Sequence, residues 1–109
     1  METNEFKKAE VFSFADEVNY AQGAIVSKTI VKKDSGNVSL FAFDKGEGLS
    51  EHTAPFDALV QIVDGIAEIL INNKPFIVKS GESIIMPANI PHALKATEKF
   101  KMILTMIKK

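Results

Sequence analysis

The sequence predicts an all-β domain, a barrel or sandwich of short strands, and three observations carry that expectation. Short apolar stretches rich in β-branched residues recur along the chain, clusters of Gly, Asn, Asp, Ser and Pro separate them, and no segment shows helical periodicity of useful length. At 109 residues, with 46% hydrophobic and 25% charged residues, the chain has the size and balance of one folded domain over residues 1–109.

The elements follow in order. Residues 1–10 are polar and read as a loose start. Ser13 precedes Phe14-Ala15-Asp16-Glu17, an N-cap signature with acidic residues in the first turn, which predicts a short helical turn. Residues 24–31 are β-branched and read as a strand, residues 34–37 as a turn, and residues 38–43 as the next strand. Residues 44–48 turn the chain again. An apolar run over 59–63 is expected to end at Asp64-Gly65. Residues 67–71 and 75–78 then form a hairpin about Asn72-Asn73-Lys74, because Asn tolerates the positive φ of a tight turn. Ser80-Gly81-Glu82 leads to a strand over 83–86, residues 87–91 form a Pro-bounded loop, and residues 100–107 form the last strand.

Two strands are apolar on both faces: Leu59-Val60 with Ile62-Val63, and Met102-Ile103-Leu104 with Met106-Ile107. A half-solvated sheet alternates apolar and polar residues, so these strands require a cover on their outer face. A second copy of the chain is the natural cover at this length, which predicts a homodimer. The alternative cover is the N-terminal segment around Phe6, Val11, Phe12 and Phe14.

Composition excludes several functions. A net charge of -1 provides no clustered basic surface for nucleic acid. Lys99, Lys101, Lys108 and Lys109 gather near the C-terminus and read as a solvated strand edge. With no cysteine, thiolate metal sites, disulfides and Cys nucleophiles are ruled out. The first residues lack the apolar core of a signal peptide and no apolar run approaches a membrane span, so no membrane partner and a cytoplasmic location are expected.

The residues able to carry chemistry are the two histidines. His52 lies in His52-Thr53-Ala54-Pro55 after Gly46, at what reads as a strand start, and His92 follows Pro87-Ala88-Asn89-Ile90-Pro91. Over about residues 46–96 the sequence resembles the cupin superfamily, with a motif-bearing core at about 38–107. The family's first motif is matched by Gly46, His52 and Gly65, and its second by Gly81, Pro87 and His92. Asn89 stands where the second motif has a Gly, and both residues accept a left-handed backbone. The resemblance implies a double-stranded β-helix, or jelly-roll, barrel with a divalent transition metal held by three His and one Glu. Those four positions are His52, Ala54, Ala58 and His92 here. A methyl group cannot coordinate a metal, so only two of the implied ligands stand. Replacements would have to come from Asp57 or Gln61, and period-2 alternation from Ala58 points both outward.

Two functions follow as expectations. The first is a small-molecule-binding barrel, free of metal, with its pocket at His52, His92, Ala54 and Ala58; small side chains leave volume beside two imidazoles that can bond a ligand. The alternative is a metal-dependent enzyme of dioxygenase or isomerase type with a reduced two-His ligand set, completed by water with Asp57 or Gln61.

Overall fold

Eight antiparallel strands account for the apolar stretches, as a computed structural model describing residues 6–108 shows. They are β1 (Ile25–Lys33), β2 (Gly36–Phe43), β3 (Gly48–His52), β4 (Ala58–Ile71), β5 (Lys74–Lys79), β6 (Ser83–Met86), β7 (His92–Lys95) and β8 (Phe100–Ile107). A first sheet has the order β1-β2-β8-β4-β6 and a second the order β5-β4-β7-β3, so β4 belongs to both. The two sheets curl around a shared apolar interior as a barrel. Among the described residues, no helix is long and apolar enough to cross a membrane.

Strand β4 departs from the sequence expectation, since Asp64-Gly65 does not end it. The register steps between Ile62 and Asp64, Gly65 takes φ +80°, and the strand passes from the first sheet into the second. The residue must be Gly, because a Cβ there would lie 2.0 Å from the carbonyl oxygen of Lys99. The expected turn about Asn72 and Asn73 forms with φ of 52° and 66°, both positive as a two-residue hairpin requires. Short strands β3 and β7 lie where the sequence reading placed no strand beyond a start at His52; only Gly48 belongs to a predicted turn.

The interior is filled by Phe43, Val60, Ile62, Ile69, Phe100 and Met102, all essentially inaccessible. Phe43 and Phe100 are cross-strand partners and stack with ring centroids 4.6 Å apart and planes 13° apart. This core faces inward from both sheets.

A second apolar layer lies outside the first sheet. Ile30, Leu40, Ala42 and Ile103 are covered there by Val18, with Phe6, Phe14 and Tyr20 packed around them. The N-terminal segment is therefore the cover for this half of the sheet. Val11, grouped with that cover in the sequence reading, is instead fully exposed at 103%. The segment is fastened by polar contacts: Tyr20 Oη donates to Asp64 Oδ2 at 2.5 Å, and Lys101 Nζ donates to the carbonyl of Ala15 at 2.6 Å. Burial, together with the bonded Asp64 carboxylate, holds the Tyr20 phenol well above its ordinary range. Lys99 and Lys101 also sit 4.7 and 5.0 Å from the Tyr20 ring, and although Lys99 is exposed, β8 lies between β2 and β4, so these lysines do not mark a strand edge. Lys109 lies outside the described residues. The predicted helical turn is a single 3-10 turn, Phe14–Asp16, and the Ser13 side chain makes no capping bond to it.

Candidate functional site

His52 and His92 are brought together by a defect in strand pairing. In the β3–β7 ladder Leu49 pairs with Leu94 and His52 pairs with His92, so three steps on β3 match two on β7. The extra residue is a β-bulge, which re-aims the side chain beyond it. Leu94 is buried in the interior and Leu49 packs on the same cluster. Plain alternation from Leu49 would send Glu51 inward and His52 outward; the bulge reverses that. His52 thus ends a strand, where the sequence suggested a strand start.

The imidazoles meet edge to face, with centroids 4.4 Å apart and their Nε2 atoms 3.1 Å apart. Each ring is held from behind by the carbonyl two residues earlier: His52 Nδ1 is 2.7 Å from Ser50 O, and His92 Nδ1 is 3.2 Å from Ile90 O. A carbonyl accepts only, so each Nδ1 carries a proton, and a ring that is neutral then presents a lone pair at Nε2. When both rings are neutral, two lone pairs face one another across 3.1 Å. That arrangement repels itself until a proton donor or a cation takes the space between.

Burial separates the two rings. His92 is 4% exposed and is the buried polar side chain among the described residues, while His52 is open to solvent. Desolvation, followed by repulsion from His52, pulls the His92 pKa below its ordinary 6.5, and the Ile90 carbonyl only partly opposes this. The site therefore holds His92 neutral and is reached from the His52 side.

The other predicted positions divide. Ala58 is buried at the start of β4, where it pairs with Met86 in the core cluster. Ala54 is half-buried, and its carbonyl accepts the Asn89 N–H at 2.7 Å, tying the two motif loops together. Asn89 has φ +65°, the left-handed backbone expected of an Asn replacing Gly. Asp57 Oδ1 accepts the Ala88 N–H at 2.8 Å, and the residue lines a groove on the outside with Leu59 and Ile85. Gln61 sits in the outward register of β4, between Ser83 and Ile103. The structure thus brings the two histidines together and leaves Asp57 and Gln61 on the other face. Sequence reasoning missed the Ser50 and Ile90 carbonyls. Backbone acceptors carry no residue-type signal, and the bulge that places Ser50 has none either.

The imidazole pair stands at the end of a bent antiparallel barrel. The chain belongs to the cupin domain family, whose model matches residues 39–108. It is similar to a conserved protein of unknown function from Streptococcus pyogenes, at 38% identity and TM-score 0.91, covering 98% of this chain and 93% of that one. A cupin 2 conserved barrel domain protein from Leptotrichia buccalis is 50% identical at TM-score 0.86; the match covers 89% of this chain and 47% of that one, so this chain spans about half its length. A cupin superfamily protein from Desulfitobacterium hafniense shares the fold at 22% identity and TM-score 0.86, covering 98% and 97%. No curated protein matches.

These residues supply only part of the metal centre that the family implies. The two Nε2 atoms suit a shared ion, since metal–N bonds of about 2.0–2.1 Å in tetrahedral geometry put nitrogens roughly 3.3 Å apart. The remaining ligands are lacking: no cluster of three His, Cys, Asp or Glu that would hold a metal forms among the described residues. The residues do not fit the family's four-ligand centre.

Proposed function

We propose that this barrel binds a small organic molecule at the His52–His92 end and engages it through a hydroxyl or amine group. The observation that carries the reading is the pair of Nε2 atoms 3.1 Å apart, each ring fixed by a carbonyl at Nδ1. With Nδ1 committed, a neutral ring has no proton to give at Nε2, so the pair accepts. A donor group on the ligand relieves the lone-pair repulsion, and the apolar barrel wall beside it takes the carbon skeleton. Carboxylates and phosphates, which need a donor, are disfavoured at neutral pH. The same acceptor pair can draw a proton from a bound hydroxyl, which is the step available to it as a general base.

The test is a ligand-observed NMR screen of polyols, sugars and amines against carboxylates and phosphates, run at pH 8 on the wild type, His52→Ala and His92→Ala. Hydroxyl or amine binders that disappear in both variants are expected. A hit set made of anions, or hits indifferent to both substitutions, would contradict the reading.

The spacing of the Nε2 atoms favours a second reading, in which water completes a weak two-His site for a divalent transition metal, with dioxygenase-type or isomerase-type activity. Elemental analysis of protein purified without a chelator tests it. Metal at one per chain, lost in His52→Ala, supports this reading; metal well below that, unchanged by the substitution, supports the metal-free site. Restoring the absent ligands with Ala54→His and Ala58→Glu together should raise divalent-metal affinity by orders of magnitude. Unchanged affinity in a folded double variant would mean these positions do not converge with the histidines.

A further inference from the structure

The open end of the barrel has a second wall. Strand β4 bends at Gly65, so its two halves lie in facing sheets, and Ala58 and Ile71 both stand at the end away from the bend. From Ile71 the second sheet continues to His92 and His52; from Ala58 the first continues to Met106 and Asn37. The strand orders β4-β7-β3 and β4-β8-β2 set β2 over β3, with Asn37 facing the histidine pair across the mouth. Register fixes the side on which the β2 residues fall. Phe41 and Phe43 belong to the interior cluster, whereas Leu40 and Ala42 belong to the outer layer. Alternation then turns Ser39 and Asn37 inward, and Thr29 of β1 pairs with Ser39. In an interior lined by Met, Leu, Ile and Phe, these three are polar. The carboxamide oxygen of Asn37 is buried and accepts no hydrogen bond from any described residue. Folded proteins pair nearly all such atoms, so an unpaired one calls for a partner.

Given a histidine pair that accepts from a hydroxyl, as read above, we propose that Asn37 is the second anchor of the site. The ligand is then a polyhydroxylated molecule that spans from Asn37 to His52 and His92. The two walls demand different groups. The neutral imidazoles only accept at Nε2, whereas the amide and hydroxyls of the facing wall both donate and accept. A hydroxyl does both, so a polyol satisfies either wall with one group repeated along its chain. A diamine, charged at neutral pH, brings donors alone and gives the Asn37 amide N–H nothing to bond. A simple alcohol reaches one wall only. Asn37 is half-buried and the χ2 torsion of Asn is broad, so the amide turns to meet a ligand at little cost. Selection for stability alone would favour an apolar residue here; an unpaired amide fits a binding role.

Ligand-observed NMR on the full chain at pH 8 compares xylitol with 1-pentanol and 1,5-diaminopentane, which share its carbon count. Xylitol should bind about tenfold more tightly than either, and Asn37→Leu should remove that advantage while leaving the pentanol affinity unchanged. Ser39→Ala, a milder change on the same wall, should weaken xylitol by roughly threefold. Without ligand, Asn37→Leu should melt about 4–8 °C above the wild type, because the unpaired oxygen is gone. Xylitol binding indifferent to Asn37→Leu and Ser39→Ala, yet lost in His52→Ala, would overturn the spanning ligand and leave the histidine reading standing. Binding lost in Asn37→Leu but untouched by His52→Ala would overturn it by taking the histidines out of the site. Pentanol or the diamine binding as tightly as xylitol contradicts the polyol, and no binding by any of the three defeats the histidine reading with it. An Asn37→Leu chain that melts below the wild type would show that the oxygen already has its partner, which also sinks the proposal.

Discussion

The two ends of the barrel interior are built from neighbouring strands yet finish in opposite ways. At one end Gly65 pairs with Phe100 and Phe100 with Phe43, and the stacked rings close the interior with no polar group. At the other, Ile71 pairs with His92 and His92 with His52, and the end is polar and open through His52. Burying a polar group without a satisfied partner costs about 1–3 kcal/mol by mutational measures. A protein optimised only for stability would finish both ends like the first. The contrast locates function at the end where the interior is least settled.

Substitutions at the two ends should separate stability from binding. Phe100→Ala removes a fully buried stacked ring and should cost about 3–5 kcal/mol in urea denaturation. A smaller loss would mean the closed end relaxes around the gap. Gly65→Ala forces a side chain into a left-handed position against the Lys99 carbonyl and should cost at least about 1–3 kcal/mol, with binding falling only as the folded fraction falls. Wild-type stability would argue that β4 turns without this contact.

Acid should act at the histidine end. The His92 pKa lies below 6.5 in the folded chain, so between the two values the unfolded chain binds more protons. Stability should therefore be full above pH 6.5, decline as pH falls toward the folded pKa, and then level off. His92→Asn should flatten that slope in melts taken across the range; an unchanged slope would assign it to other groups. The smallest stability effect is expected for His52→Ala, within about 0.5–1 kcal/mol because the ring is solvent-exposed, although ligand binding should be lost. Retained binding would move the site away from the pair.

Much of this architecture was legible in the sequence because it depends on residue type. Strands β6 and β8 have the bounds that their apolar runs suggested, and the positive φ at Asn72, Asn73 and Asn89 follows from Asn itself. What escaped the sequence depends on register. Gly65 reads as a turn residue, and only the approach of Lys99 shows that it bends a continuous strand. The bulge before His52 leaves no compositional mark, so the register shift that turns this ring toward His92 could not be read from the sequence. The need for an outer cover was readable from strands apolar on both faces, and the structure shows the N-terminal segment meeting it for one half of the sheet. The pairing of two motif histidines followed from the family resemblance; their protonation did not, because it is set by the Ser50 and Ile90 carbonyls.

The central claim is that both neutral imidazoles carry their proton on Nδ1 and leave two Nε2 lone pairs facing each other. Long-range proton–nitrogen correlation NMR on histidine-labelled protein at pH 8 reads this directly. The Nδ1–H tautomer is expected for both His52 and His92, with both Nε2 resonances shifting together when a hydroxyl or amine ligand binds. An Nε2–H tautomer at either ring would contradict it, since that ring would then donate to its neighbour and leave no converging pair of acceptors.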